Sequence, residues 1–177
     1  MSASNVWAPR DVWTFGRHVW RVGFVRHKWR WIIPIATFGG LQHFFAVGLA
    51  FDHSLPERLA IIAKWPAQIQ RGDYVEWTWN RGGPFIHDGW HMFKIVKGIA
   101  GDVVSWQGRN VFINGQFLDA AKSHARTGAA VELGPSGVIP PGKYFVYGTN
   151  EDSLDSRYAL TGWIDESQIV GRAIWRY

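Results

Sequence analysis

Alternating apolar and polar residues in the second half of the chain predict a series of short β-strands. The hairpin signal is clearest at Asn114-Gly115, a pair that suits a tight two-residue turn between strands 111–113 and 116–118. A Gly-rich loop over residues 80–90 and a long polar loop over 119–137 interrupt the pattern. Further strands are predicted at residues 71–79, 91–96, 103–106, 143–147 and 169–175. We therefore expect a mainly β domain over residues 52–177.

An uncharged apolar stretch precedes this domain. Residues 31–51 contain no Asp, Glu, Lys or Arg, and their number suits one helix across a bilayer core. Pro34, Gly39-Gly40 and His43 are less typical of such a helix, and a buried core helix is the alternative. The sequence predicts a transmembrane helix over residues 31–51.

The positive charge is concentrated at the start of the chain. Residues 1–30 hold six basic residues and one acidic residue, whereas the remaining residues hold thirteen of each. Tryptophans and other apolar residues alternate with the basic ones, which favours a helix at a membrane interface. A nucleic-acid-binding arm is the alternative. Basic residues beside a membrane span stay on the cytoplasmic side, so we expect residues 1–30 to be cytoplasmic and residues 52–177 to lie on the other side of the membrane. Membrane lipid is then an expected partner.

Polar groups are dense in the stretch after the predicted strand 143–147. Asp155 and Arg157 lie two apart on an extended segment, so they share a face and can form a bidentate ion pair. The alternative is an exposed surface pair that contributes little. The chain has no cysteine, which excludes disulfides and thiolate metal sites.

Several motifs of this half carry a family resemblance. The stretch 148–158 reads Gly148-x-Asn150, followed by Ser153-x-Asp155-Ser156-Arg157-Tyr158. Ile-Pro-Pro-Gly-Lys-Tyr-Phe-Val at 139–146 precedes it, and Ile-Val-Gly-Arg-Ala at 169–173 follows. In this order they resemble type I signal peptidases over roughly residues 50 to 177. The chain length and the N-terminal half are similar to the TraF-type branch, the short membrane-anchored peptidases of conjugative transfer systems.

The resemblance implies a serine nucleophile at Ser54. Ser54-Leu55-Pro56 resembles the Ser-x-Pro of TraF-type enzymes, although Arg58 stands where that branch often has glycine. A helix N-cap is the alternative role for this serine. Asp52 cannot donate a hydrogen bond unless it is protonated, so we expect backbone N–H groups near Ser54 to supply the oxyanion hole.

The resemblance also implies a lysine base at Lys94. Phe93-Lys94-Ile95-Val96-Lys97-Gly98-Ile99-Ala100-Gly101-Asp102 resembles the family's lysine block, with Ile95 in place of an arginine. A lysine is protonated at neutral pH unless desolvation lowers its pKa, so Lys94 must lie in apolar surroundings. Strand alternation sends Lys97 to the opposite face. An ordinary exposed strand lysine is the alternative.

By the same resemblance, Ser153 orients the lysine, and Asp155 and Arg157 stiffen the site from behind. Ser–Lys pairs are a known alternative to the serine triad, and none of the seven histidines lies in a triad signature. No metal and no cofactor are implied, and no nucleic acid is expected as a partner.

The predicted function is a membrane-bound Ser–Lys serine endopeptidase of the bacterial inner membrane, crossing it once, with a periplasmic catalytic domain. The resemblance implies that it processes exported precursors, pilin or other signal-peptide-bearing proteins, with possible cyclisation of the product and possible contact with a transfer or secretion machinery. A catalytically silent envelope scaffold and a general housekeeping signal peptidase are the alternatives.

Overall fold

The computed structural model describes residues 9–21, 28–49, 55–56, 59–64, 68–83 and 86–177. These residues belong to two compact units, Met1–His43 and Phe44–Tyr177. Each unit is described by itself below.

The described residues of the N-terminal unit form two helices. Helix α1 spans Pro9–Val19 and ends with the basic residues Arg17 and His18 in its last turn. Helix α2 spans Lys28–Phe44, and all its side chains are exposed within the structure. No helix among the described residues is both long enough and apolar enough to cross a bilayer.

The prediction of one continuous helix over residues 31–51 is wrong. Helix α2 ends at Phe44, and Phe45–Leu49 forms strand β1, which pairs antiparallel with strand β2, Leu59–Ala63. Pairing with a strand ten or more residues away satisfies the backbone groups of 45–49, and an uncharged apolar run alone does not reveal such a partner. Residues 50–51 lie outside the described residues.

Among the described residues, the larger of two sheets has seven strands in the order β1-β2-β11-β3-β4-β9-β10. Its remaining strands are β3 Tyr74–Thr78, β4 His91–Gly98, β9 Lys143–Tyr147, β10 Ile164–Asp165 and β11 Ile169–Arg176. All its pairings are antiparallel. Strands β4 and β9, which carry the candidate chemistry, are neighbours in this sheet.

The smaller sheet has four strands in the order β7-β6-β5-β8. They are β5 Val103–Gln107, β6 Asn110–Ile113, β7 Gln116–Ala120 and β8 Gly137–Val138. Asn114 and Gly115 both have positive φ, 52° and 78°, as the predicted two-residue hairpin turn requires.

Two apolar clusters form the core, and the alternation of β4 and β9 separates them. Met92, Val96 and Val146 belong to one cluster, together with Trp77 and Trp79. The other cluster contains buried side chains from both sheets: Val104, Val111, Ile113, Ile139 and Phe145. Gly98 lies at a tight point of this second cluster, because a Cβ there would come within 2.6 Å of Ile139. The prediction of a mainly β domain is therefore confirmed.

Candidate active site

Lys94 is completely buried in the middle of strand β4. Its side-chain face is shared with Met92 and Val96, and its partner across the sheet is the buried Val75 on β3. The apolar surroundings expected for this lysine are therefore present. Desolvation of this kind disfavours the charged ammonium form of a lysine. Lys94 as the catalytic base stays a prediction.

Lys97 occupies the other face of the same strand. Its side chain is only partly buried, and its Nζ lies 5.9 Å from the centre of the Tyr147 ring. The expected separation of the two lysines onto opposite faces is confirmed, so Lys97 provides a matched control for Lys94.

Ser54 lies outside the described residues, as do Asp52 and Arg58. The segment that carries Ser54 connects β1 to β2, whose ends meet at the Leu49–Leu59 pair. Leu55, the next residue along the chain, is buried at 4% exposure. Its side chain therefore belongs to the folded β unit. Ser54 as the nucleophile stays a prediction.

Asp155 and Arg157 form the predicted bidentate ion pair, and both side chains are fully buried. Arg157 Nε donates to Asp155 Oδ1 and Nη2 donates to Oδ2, each at 2.9 Å. Asp155 also accepts hydrogen bonds from the backbone N–H groups of Gly148 and Arg157. The alternative of an exposed surface pair is wrong.

Asp119 on β7 completes this network, although no motif in the sequence points to it. Arg157 Nη1 donates to Asp119 Oδ2 at 2.6 Å, and the Tyr147 hydroxyl donates to the same oxygen at 2.8 Å. Asp119 is 38 residues before Arg157 and was assigned to a polar loop, so its place in the network depends on tertiary pairing. Arg157 thereby links the 148–158 stretch to the smaller sheet.

The network shifts two ionisation equilibria. Burial acts most strongly on the pKa of Arg157 and would lower it, but the hydrogen bonds and charge of Asp155 raise that pKa above its ordinary value. Burial, together with the hydrogen bond to Asp119, raises the pKa of Tyr147 to about 12. Both groups therefore keep their neutral-pH forms, a charged guanidinium and a protonated phenol.

Ser153 lies on the loop 148–158, which also carries Asp155 and Arg157, and it is 4% exposed. Its hydroxyl has no hydrogen-bond partner among the residues that the structure describes. Strands β4 and β9 pair with Ile95 opposite Tyr147, so Lys94 lies alongside Gly148, where this loop begins. The loop folds back on itself through the Gly148–Asp155 hydrogen bond. The role of Ser153 in orienting Lys94 stays a prediction.

The turn after β4 is held by a buried carboxylate. Asp102 is 3% exposed and accepts hydrogen bonds from Arg71, Asn114 and the backbone N–H of Ile99. The hydrogen bond from Arg71 acts most strongly and lowers the pKa of Asp102 to about 2, although burial opposes the shift. This carboxylate connects the end of β4 to the hairpin turn at Asn114.

Within the described part of the chain, no group of three or more His, Asp or Glu side chains could hold a metal ion. Strand β4 carries the buried amine of Lys94, and the buried hydroxyl of Ser153 has no hydrogen-bond partner among the described residues.

Comparison with known proteins identifies the family. The family described as "Signal peptidase, peptidase S26" matches residues 31–177. The chain belongs to the S26 signal peptidases. Signal peptidase IB of Staphylococcus aureus is 32% identical over 139 residues, which cover 68% of each chain. A protein named "Probable signal peptidase I-2" from Synechocystis is 35% identical over 93 residues, or 52% of this chain and 39% of that protein.

A solved structure is also similar, that of a signal peptidase I from Enterococcus faecalis V583. It has 23% sequence identity and a TM-score of 0.41, and the match covers 59% of this chain and 96% of that one.

Family membership confirms the predicted serine endopeptidase activity of the S26 type. The precursor substrates expected from it are proteins that carry a signal peptide. The TraF-type branch, the pilin substrates and the attachment to the membrane are finer predictions that these comparisons leave open.

Proposed function

We propose that this S26 peptidase is a Ser–Lys enzyme in which Ser54 is the nucleophile and Lys94 the general base. The observation that carries the proposal is the complete burial of Lys94 on β4 among apolar side chains. A lysine is useful as a base only when it is neutral, and desolvation favours that form. A lysine that is exposed to water is charged at neutral pH.

The proposed reaction is acyl transfer in two steps. Neutral Lys94 takes the proton of the Ser54 hydroxyl as the oxygen attacks the scissile carbonyl, and the resulting ammonium gives that proton to the leaving amine. Water then attacks the acyl-enzyme while Lys94 takes a proton from it, and the ammonium returns that proton to Ser54 Oγ as the ester bond breaks and the carboxylic acid product leaves. Backbone N–H groups near Ser54 stabilise the oxyanion. Ser153 orients Lys94 in the proposed enzyme, and its buried hydroxyl, which has no hydrogen-bond partner among the described residues, is available for that contact.

We further propose that the N-terminal unit holds the enzyme at the bacterial inner membrane. Large apolar side chains are exposed on both helices, among them Trp13, Phe15 and Trp20 on or just after α1, and Ile35 and Phe38 on α2. Aromatic residues interleaved with basic ones suit the headgroup region of a bilayer. Confinement to one plane would favour cleavage of precursors tethered to the same membrane.

Exported precursors are the proposed substrates, with pilin or other conjugative transfer proteins as the specific class. The Ser54-Leu55-Pro56 spacing, which is similar to that of the TraF-type branch, supports this narrower assignment. Processing of a pilin precursor but not of a general secretory precursor by the purified enzyme would support it. Equal processing of both would instead favour a housekeeping signal peptidase.

The Ser–Lys assignment is tested by single-turnover cleavage of a precursor by the full chain in detergent. Ser54→Ala and Lys94→Ala should each abolish cleavage, whereas Lys97→Ala should retain most of it because Lys97 lies on the opposite face of β4. In the wild type, the rate should rise with pH as Lys94 loses its proton. Substantial activity in Lys94→Ala, or a flat pH profile when chemistry limits the rate, would remove Lys94 from the mechanism.

A further inference from the structure

A cleft of about 600 Å³ lies between two loops of the β unit. One wall comes from residues 122–132, and the other comes from residues 151–160. Its apolar lining consists of Ile86, Ala130, Val131, Leu154, Ala159 and Leu160. Clefts of this size with a mainly apolar lining are typical binding sites for small organic molecules, and a few polar groups in them select the ligand.

Hydrogen bonds join the two walls to each other. Leu133 and Tyr158 form a β-bridge, and the N–H of Ala159 donates to the carbonyl of Glu132 at 3.1 Å. The Tyr158 hydroxyl accepts a hydrogen bond from the backbone N–H of Lys122 at 3.2 Å. These contacts hold the cleft in shape before any ligand binds, which lowers the entropic cost of binding.

The charged side chains that line this cleft do not balance. Two of them are basic and three are acidic, so one negative charge remains while His124 is neutral. Lys122 Nζ lies 2.6 Å from Asp152 and 3.0 Å from Glu151. Arg126 Nε lies 3.9 Å from Asp152. These two basic and two acidic groups neutralise one another and join one wall to the other.

Glu132 carries the charge that is left over. It lines the cleft, is exposed, and makes no ion pair or side-chain hydrogen bond with any residue that the structure describes. The hydrogen bond from Ala159 N–H to the Glu132 carbonyl fixes the backbone of Glu132 against the opposite wall. A carboxylate held beside an apolar cleft attracts a cationic group on a ligand and disfavours an anionic one.

Ser153 provides a second polar group, on the opposite wall. It lines the cleft and is 4% exposed, and its hydroxyl has no hydrogen-bond partner among the described residues. A buried hydroxyl without a partner is unfavourable, so a ligand that reaches it with an N–H group gains a hydrogen bond. A hydroxyl can accept and donate at the same time, so this contact is compatible with the role proposed for Ser153 in orienting Lys94.

We propose that this cleft binds a small organic cation, an apolar molecule that carries one ammonium group. The apolar body lies against side chains such as Val131, Leu154 and Leu160, and the ammonium pairs with the Glu132 carboxylate. An alcohol of similar shape gains only the apolar contacts, and a carboxylate of similar shape meets the uncompensated negative charge. This binding requires no step of the proposed peptidase reaction.

The first test compares three probes of similar shape, which are phenethylamine, phenethyl alcohol and phenylacetate. Isothermal titration calorimetry measures their binding to the full chain in detergent at neutral pH and low ionic strength, with protein-free micelles as the blank. The amine should bind about threefold more tightly than the alcohol, as expected for one solvent-accessible ion pair, and phenylacetate should bind most weakly.

Glu132→Gln should remove the preference for the amine and leave the affinity for the alcohol as it is. Glu166→Gln is the matched control, because this exposed carboxylate lies outside the cleft lining and the preference should persist without it. Equal affinity for the amine and the alcohol in the wild type would overturn the proposal, as would a preference for the amine that survives in Glu132→Gln.

The second test fills the cleft. Ala130→Trp and Ala159→Trp do so from opposite walls, and each should weaken binding of phenethylamine about tenfold or more, because the apolar body of the probe loses its place. Ala129→Trp, on the exposed neighbour that does not line the cleft, should bind the amine as the wild type does.

Melting temperatures identify a variant that fails to fold, and the other cleft variant then carries the test. Unchanged affinity for phenethylamine in a folded cleft variant would show that the amine binds elsewhere, and the proposal would be wrong. None of these measurements involves peptide cleavage, so their outcome is separate from that of the Ser54 and Lys94 variants.

Discussion

Replacing Arg157 by alanine should destabilise the β unit far more than the loss of an ordinary ion pair would. Arg157 is fully buried and makes a bidentate pair with Asp155, itself fully buried. Its other donors reach Asp119 and the carbonyls of Gly148 and Asn150. Truncation to alanine therefore removes every one of these hydrogen bonds and leaves the Asp155 carboxylate inside the protein without its counter-charge.

Breaking a buried pair on one side costs on the order of 3–5 kcal/mol, because the remaining charge stays desolvated. At this domain size the change corresponds to a fall in Tm on the order of 10 °C. Two backbone N–H groups still donate to Asp155, which places the expected cost at the lower end of that range. Arg157→Lys should lie in between, because an ammonium keeps the charge but not the bidentate geometry.

The assay is thermal unfolding of the full chain in detergent, followed by near-UV circular dichroism at neutral pH. Lys143→Ala is the matched control, since its pair with Asp165 is partly exposed on both sides and should cost about 1 kcal/mol or less. An Arg157→Ala variant that melts within a degree or two of the Lys143→Ala variant would refute the reasoning, because it would show that the buried network contributes no more than a surface pair.

Three further predictions concern the supports of the site. Asp102→Asn should remove part of the pH dependence of folding stability. The pKa of Asp102 is about 2 in the fold against an ordinary 3.8, so its carboxylate stabilises the fold above pH 3.8 and loses that effect as the pH falls toward 2. The variant's unfolding midpoint should change less over that window, and an unaltered slope would contradict the assignment. Tyr147→Phe should flatten the loss of stability expected as pH rises from about 10 to about 12, measured by alkaline unfolding, because the phenol's pKa is raised in the fold. Gly134→Ala should lower the Tm or prevent folding, since its Cβ would lie 2.1 Å from the Ser156 carbonyl oxygen. Gly128→Ala, which has open space around it, should cause only backbone strain. Equal effects of the two substitutions on the Tm would show that the close contact at Gly134 relaxes easily.

Local signals in the sequence were sufficient for most of the strands. Alternation located β3, β4, β5, β9 and β11 to within a few residues, because each has one face in the core and the pattern has period two. The hairpin was found because Asn-Gly has a strong preference for its backbone conformation.

The sequence pattern did not predict strands β1 and β2, and the reason is physical. The first is the end of a long uncharged run, and the second, Leu-Ala-Ile-Ile-Ala, has no alternation because its outward-facing residue is also apolar. A short apolar run without alternation is compatible with either a helix or a strand. Here the pairing between residues 45–49 and 59–63 makes both segments strands.

At the site, sequence reasoning identified the residues that a motif contains and missed those that only the fold brings together. Asp155 and Arg157 are two apart, so their pairing follows from local geometry. Asp119 joins them across 38 residues, and its partners could not be found without the sheet topology. The burial of Lys94 was foreseeable from its apolar neighbours in β4, whereas the cleft beside Ser153 arises from the packing of two distant loops.

The loop 148–158 provides a way for the buried Asp155–Arg157 pair to influence the position of groups around Lys94. Arg157 lies 4.8 Å from the centre of the Tyr147 ring, on the face of β4 and β9 opposite to Lys94. Ser153 is carried by the same loop, and the pair fixes that loop by binding Gly148 and Asn150 at its start. We infer that loosening the pair would displace Ser153 relative to Lys94. On this argument, Arg157→Lys should lower kcat even at temperatures where the variant remains folded, and rates unchanged under those conditions would confine the pair to a role in stability.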